Sequence, residues 1–328
     1  MGNDKKSLNT IYTPVLKGLT LVEKEISRQL TSDDEFIYRL NESVLISKGK
    51  RLRPALVLLS TGTKDKTDIR LIKLAASIEL IHNATLLHDD VIDQTPLRRG
   101  KVSAPSLWGT ELSILLGDYL YAKAFILVAG LKSPEVASSL AEVTHAMCEG
   151  EMTEVNHRHN LRLKEEDYLT IIRQKTACLI SACCRNGAFL SGTNLSKSRT
   201  LEDYGLNFGM AFQIVDDCLD IVGEEDELGK SLGTDIQNGK LTLPYIFLLN
   251  NRKRSIQIET ETLLQKNNGR ETFRRLKELV IEEEAISYSL DRAKEYAVQA
   301  KRRLKELNSL PYQRNLADLV DFAIERRN

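Results

Sequence analysis

Two short stretches of this chain have residue types and spacing that could do chemistry: LLHDDVIDQTPLRRG at residues 86–100 and DDCLD at residues 216–220. Each sets three aspartates in the spacing DDxxD within an otherwise apolar run. On a helix, Asp89 and Asp93 stand four residues apart on one face with Asp90 roughly 100° around, and Asp216, Asp217 and Asp220 repeat the arrangement. Two carboxylates about 5 Å apart repel by roughly 3 kcal/mol at an effective dielectric near 20, so a partly buried triplet stays ionised only beside cations. All-oxygen donors select hard ions, Mg²⁺ first among them. An Mg²⁺ ion held by one or two carboxylates completes its shell with water and phosphate oxygens, which points to a diphosphate as the ligand.

Basic residues stand near both motifs: Lys50, Arg51 and Arg53 in GKRLRP, Arg98 and Arg99 after the first motif, Lys175 in RQKTA, and Lys230 and Lys240 after the second. Guanidinium forks and ammonium point charges of this kind hold phosphate. Taken singly, each reads more readily as an ordinary surface cation. His82 lies seven residues before Asp89, about 20° from it around the helix, and is expected to face the same site. His88 has no such placement and reads as structural. His157 and His159 are two residues apart, off any common helical face, which argues against a metal pair.

The elements that must position these groups read as helices. Only 7 prolines interrupt 328 residues, and runs such as DIRLIKLAASIELIHNATLLHDDVID carry apolar residues at three- and four-residue spacing. Period-two alternation bounded by hairpin turns is missing, so the expected fold class is all-α, one large domain over residues 1–328. Loops are expected at SKGKRLRP, TPLRRGKVSAPS, GLKSPE, LSGTNLSKS and GEEDELGKSLGTDIQNGK. From about residue 255 onward the pattern is amphipathic helix with charged faces, read as scaffold or interface.

Lys plus Arg and Asp plus Glu each total 46, so bulk charge gives no attraction to nucleic acid or to an anionic membrane. Five cysteines, with Cys183 and Cys184 adjacent, fit neither a disulfide framework nor a zinc site and suggest a reducing, cytoplasmic setting. The first residues lack an apolar signal core, and no run approaching about 18 apolar residues is evident, so no membrane span is expected.

In order and context, GKRLRP, IELIHNATLLHDDVID with RRG, GDYLYAKAF, RQKTA, FGMAFQIVDDCLD, and GKSLGTDIQNGK followed by TLPYI resemble the trans-type isoprenyl diphosphate synthases, or polyprenyl synthetases, across residues 40–250. The resemblance implies antiparallel helices around a deep cavity, a homodimer, and two aspartate motifs facing each other with three Mg²⁺ ions between them. It implies that Asp89, Asp93 and Asp216 hold metal while Asp90, Asp217 and Asp220 support them. Lys50, Arg53, His82 and Arg99 would bind the diphosphate of isopentenyl diphosphate. Arg98, Lys175, Lys230 and Lys240 would grip that of the allylic primer, farnesyl or geranylgeranyl diphosphate. Thr176 and Gln213 would lie along the allylic chain near the developing cation. Ionisation of the allylic carbon–oxygen bond, attack by the isopentenyl alkene and loss of a proton to the departing diphosphate then add one five-carbon unit, with no side-chain nucleophile. Residues 223–240 read as a lid over this site.

Product length is read from the helix before the first motif. Thr85, one turn before Asp89, and Ala84 beside it are small where short-chain members of the resembled family carry bulky aromatics. A long product of six or more isoprene units, octaprenyl-like, is expected, with Phe125 as the tunnel floor. Three other readings are a shorter geranylgeranyl-type synthase, a subunit of a heteromeric synthase, and a terpene cyclase. The last typically lacks a second DDxxD and GKRLRP, both of which stand here.

Overall fold

The computed structural model describes residues 7–46, 49–63, 67–98, 100–223, 233–266, 269–307 and 310–326. In chain order its helices are α1 (Leu8–Tyr12), α2 (Leu16–Leu30), α3 (Glu35–Ile46), α4 (Leu52–Leu59), α5 (Ile69–Ile92), α6 (Ala104–Trp108), α7 (Thr110–Ala129), α8 (Pro134–Asn156), α9 (Glu165–Ile172), α10 (Cys178–Leu190), α11 (Leu195–Val222), α12 (Thr234–Gln237), α13 (Leu243–Leu249), α14 (Arg254–Lys266), α15 (Gly269–Glu282), α16 (Ala285–Lys305) and α17 (Gln313–Glu325). Residues Arg173–Ala177, between α9 and α10, form a π-helical turn. Strand structure among the described residues is one hairpin, β1 (Leu97–Arg98) antiparallel to β2 (Lys101–Val102). The all-α class read from the apolar spacing therefore holds.

Two long helices organise the core. The α5 helix starts at Asp68, whose side chain accepts from the Arg70 amide at 2.9 Å, and is apolar nearly all round, so it is buried on every side. Asn194 caps α11 in the same way through the Lys197 amide. The first half of α11 joins α2, α4, α5, α7, α8 and α10 in one apolar cluster, where Tyr204 stacks on Phe208 with centroids 6.0 Å apart. Its second half packs with α9, α13, α15 and α16 in another. Each aspartate motif closes one of these two helices.

Helix starts absorb parts of the expected loops. Arg51, left-handed at φ 51°, turns the chain into α4, so Arg53 and Pro54 of GKRLRP belong to a helix. A proline in a first turn forfeits no helical hydrogen bond, which is also why α8 begins at Pro134 inside GLKSPE. Likewise α11 begins inside LSGTNLSKS, and the described end of GEEDELGKSLGTDIQNGK holds α12.

The 20-residue α7 is long and apolar enough to cross a membrane by length and composition. Glu111, Asp118 and Lys123 interrupt its apolar run. One face, including Leu116, Leu120, Ala124 and Leu127, is buried, mostly against α5, whereas Ile114, Leu115 and Ile126 are exposed.

Candidate active site

The motif ends of α5 and α11 open on one cavity of about 1320 Å³, whose wall includes Asp89 and Asp93 from the first motif and Asp216 and Asp217 from the second. Carboxylates at the ends of helices meet the negative pole of the helix dipole, the reverse of the favourable placement, so both motifs create a demand for cations. Asp90 and Asp220, 3% and 2% exposed, lie behind this wall.

The first motif is held by three basic groups from separate parts of the chain. Arg98 Nε, reaching back from β1, donates to Asp90 Oδ1 at 2.7 Å. Lys240 Nζ stands 2.6 Å from Asp93 Oδ2, and Arg158 Nη2 2.5 Å from Asp93 Oδ1. Burial pushes the Asp89 carboxyl up, and Asp93 adds to this; Lys175, Lys240 and Arg98 oppose it without cancelling it.

In the second motif, Asp216 Oδ1 is 2.9 Å from Arg326 Nη1. Asp217 accepts from the Tyr168 hydroxyl at 2.6 Å and from Gln213 Nε2 at 2.7 Å, yet burial, with Asp235 close by, holds it well above the usual carboxylate range. Asp220 Oδ2 accepts the Asp235 amide at 3.2 Å, tying α12 to the end of α11. Thr176 Oγ1 donates to Gln213 Oε1 at 2.9 Å, so Thr176, Gln213, Asp217 and Tyr168 form one hydrogen-bonded row at the wall.

Lys175 sits on the π-helical turn, a local widening that recurs at functional sites. The turn is set by close approaches. A Cβ on Gly150 of α8 would meet Gln174 Cβ at 2.8 Å and the Lys175 amide nitrogen at 2.9 Å, and one on Gly209 of α11 would meet Ala177 Cα at 2.7 Å. Lys175 Nζ then lies 2.5 Å from Glu151 and 2.7 Å from Glu154, and Lys240 Nζ reaches Glu154 at 3.1 Å. Burial alone would lower the Lys175 ammonium, but Glu154, Asp89 and Glu151 together hold it well above the usual lysine range.

Lys50, Arg53 and His82 line the same cavity. Arg53 Nε is buried with no hydrogen-bond partner, a donor on the wall suited to an anion. Arg51, grouped with them by sequence, is taken up by ion pairs to Glu23 and, at 2.7 Å, to Glu79. Arg99, Lys230 and residues 224–232 of the proposed lid lie outside the described residues. His88, read as structural, also lines the cavity, its Nε2 being 3.2 Å from Ile114 O and 3.4 Å from Asp118. Thr85 lines it and donates to His82 O at 2.8 Å, whereas Ala84 is fully buried outside the wall. Phe125 is half-buried and not part of the wall; Tyr121, one turn earlier on α7, is.

The donor set is all oxygen, and Asp89 and Asp217 are both pushed up, so the resident cations do not balance the buried acids. That is the setting a hard divalent ion relieves, and Asp89, Asp93 and Asp216 present the oxygens that would hold it. Among the described residues, no three acidic, imidazole or thiol groups converge into a ready-made cage. Ions here would therefore be shared with substrate oxygens.

Sequence reasoning missed Glu151, Glu154, Arg158, Asp235, Tyr121 and Arg326. The acids in GEMTE at three-residue spacing, on a helix without neighbouring lysines, could have flagged Glu151 and Glu154. Nothing in AIERRN could have flagged Arg326.

A family model described as polyprenyl synthetase matches residues 34–280. The octaprenyl diphosphate synthase of Escherichia coli strain K12 is 32% identical over 305 residues, covering 93% of this chain and 94% of that protein. A geranylgeranyl pyrophosphate synthase of Geoglobus acetivorans is 35% identical, covering 93% of this chain and 96% of that one. The crystal structure of a polyprenyl synthase from Caulobacter crescentus CB15, complexed with calcium and isoprenyl diphosphate, superposes with a TM-score of 0.93 at 36% identity, covering 100% of both chains. With these likenesses running through the paired aspartate motifs and their cations, the chain belongs to the polyprenyl synthetase family and is a prenyl-transferring enzyme.

Proposed function

We propose that this enzyme condenses isopentenyl diphosphate head-to-tail onto an allylic diphosphate, farnesyl or geranylgeranyl, and repeats the step to make an all-trans polyprenyl diphosphate of six or more units. The observation that carries the reading is one cavity whose wall joins both aspartate motifs to the apolar side chains of Leu86, Ile114, Tyr121, Met147 and Phe212. A wall that combines charged and apolar side chains suits a diphosphate bearing a growing hydrocarbon. Mg²⁺ ions, three by family resemblance, would supply Lewis-acid neutralisation of the leaving diphosphate at Asp89, Asp93 and Asp216.

The chain's own groups divide the rest of the work. Lys175 and Lys240, held charged by their carboxylate neighbours, stabilise the negative charge that grows on the allylic leaving group, with Arg98 beside them. Lys50, Arg53 and His82 orient the second diphosphate. Gln213 and Thr176 present their oxygens to the forming allylic cation while staying fixed by Asp217. The departing diphosphate, already seated among bases, takes the proton.

The whole chain would act as one domain, in the cytoplasm, where its five free cysteines are at home. The exposed Leu115 and Ile126 of α7 favour a homodimer formed through that face. A shorter, geranylgeranyl-type product is the second reading, favoured by the bulk of Tyr121 in the wall. Incubation with labelled isopentenyl diphosphate, either primer and Mg²⁺, followed by chromatographic sizing, tests both. Chains of six or more units support the first reading, products stopping at four units support the second, and turnover that survives chelation overturns the metal-assisted chemistry.

A further inference from the structure

Arg326 lies outside the residues matched by the family model, immediately after α17, yet it reaches the second aspartate motif. Its Nη1 stands 2.9 Å from Asp216 Oδ1, its guanidinium lies 4.2 Å from the centre of the Phe212 ring, and its Nε donates to Ala323 O at 3.3 Å. The side chain is only 7% exposed, against 38% for Asp216. An ion pair, a ring face and a backbone carbonyl thus fix a side chain that would otherwise have many rotamers.

The contact falls on a carboxylate that lines the catalytic cavity, and Arg326 lines the cavity with it. A guanidinium and a divalent ion both seek the carboxylate lone pairs of Asp216, and two cations within a few ångströms repel. We propose that Arg326 is a resident counter-cation of the second motif, which a divalent ion must displace from Asp216. Metal loading and the docking of α17 on α11 are then coupled. By reciprocity, Arg326 weakens metal binding by the same factor by which bound metal weakens the docking of Arg326. The inference rests on the reading of Asp216 as a metal ligand.

Titration with Mn²⁺, with the free ion counted by electron paramagnetic resonance, separates the two ideas without using turnover. Arg326→Ala is expected to tighten Mn²⁺ binding about fivefold to tenfold, the low end of a typical coupling. Arg326→Lys should tighten it less, because it keeps the charge while losing the fork. The gain should vanish in Arg326→Ala combined with Asp216→Asn. Unchanged Mn²⁺ affinity in Arg326→Ala, where Asp216→Asn alone weakens binding, overturns the counter-cation and leaves Asp216 a ligand. An Asp216→Asn protein that binds Mn²⁺ as the parent does overturns the metal reading itself. Amide hydrogen exchange in the unmodified protein gives an arm that no folding defect can obscure. Saturating Mg²⁺ should speed exchange in the last turn of α17, and unchanged or slower exchange there overturns the proposal.

Discussion

Glu154→Gln is the substitution whose consequences follow most fully from the geometry. Glu154 is the carboxylate shared by the two lysines, 2.7 Å from Lys175 and 3.1 Å from Lys240. Glutamine keeps the shape and removes the charge. Deleting one partner of a buried ion pair commonly costs about 3–5 kcal/mol, but here Lys175 keeps Glu151 and Lys240 keeps Asp93. The loss should therefore fall in the range of a single charge-assisted hydrogen bond, about 2 kcal/mol. For a chain of 328 residues, whose unfolding entropy is about 2.1 cal/mol/K per residue, that lowers Tm by roughly 3 °C at neutral pH. Burial pushes the Glu154 carboxyl up, but Lys175 and Lys240 more than offset it, so the folded value lies below the usual one. A depressed carboxylate contributes stability that is fully present above its unfolded value, about 4.3, and lost as pH falls through the folded value. The stability gap between parent and variant should thus be constant from neutral pH down to about pH 5 and close only below about pH 4. The lysines, relieved of one internal anion, should also bind inorganic pyrophosphate more tightly, by about fivefold. Scanning calorimetry across pH and a pyrophosphate titration check both arms. A variant with parental Tm at pH 7, or a gap that persists unchanged at pH 3, would refute the shared-carboxylate reasoning.

Product length should respond to the wall of the cavity before it responds to residues further along α7. Tyr121→Ala is expected to lengthen the product, and Phe125→Ala to do so only in combination with it; a single Phe125→Ala that lengthens the chain would move the floor back to Phe125. Thr85→Phe should shorten the product, because Thr85 lines the cavity one turn from Asp89, and an unaltered product ladder would detach Thr85 from the growing chain. Gly150→Ala places a Cβ 2.8 Å from Gln174 Cβ and 2.9 Å from the Lys175 amide nitrogen, so it should displace the π-helical turn. The expected cost is about 1–3 kcal/mol of stability, with kcat falling more than KM rises, measured by denaturant midpoint and steady-state kinetics.

The fold class and the paired motifs were legible because both are local signals: three- and four-residue apolar spacing writes helices, and DDxxD at the end of an apolar helix writes a cation demand. Asp90 and Asp220 stand behind the wall, whereas Asp217, grouped with them by the resemblance, lines it beside Asp216. Long-range pairing was not legible. Glu151 and Glu154 meet Lys175 and Lys240 only because Gly150 and Gly209 let three helices approach, and Arg326 meets Asp216 from 110 positions further along the chain. His88, read as structural, also borders the cavity, packed so closely on α7 that a Cβ on Gly117 would meet its Nε2 at 2.3 Å. Phe125, expected as the floor, lies off the cavity wall that Tyr121 joins, because sequence sets the stripe on a helix but not its depth along a cavity.

The central claim is that both motifs act on one diphosphate through shared divalent ions. Calorimetric titration with inorganic pyrophosphate, with and without Mg²⁺, on the parent, Asp89→Asn and Asp216→Asn tests it most directly. Tight binding in the parent should require Mg²⁺, and either single substitution should weaken it by about tenfold or more. Parental, Mg²⁺-dependent affinity in one of the two variants would show that its motif does not share the ligand, and would contradict the account.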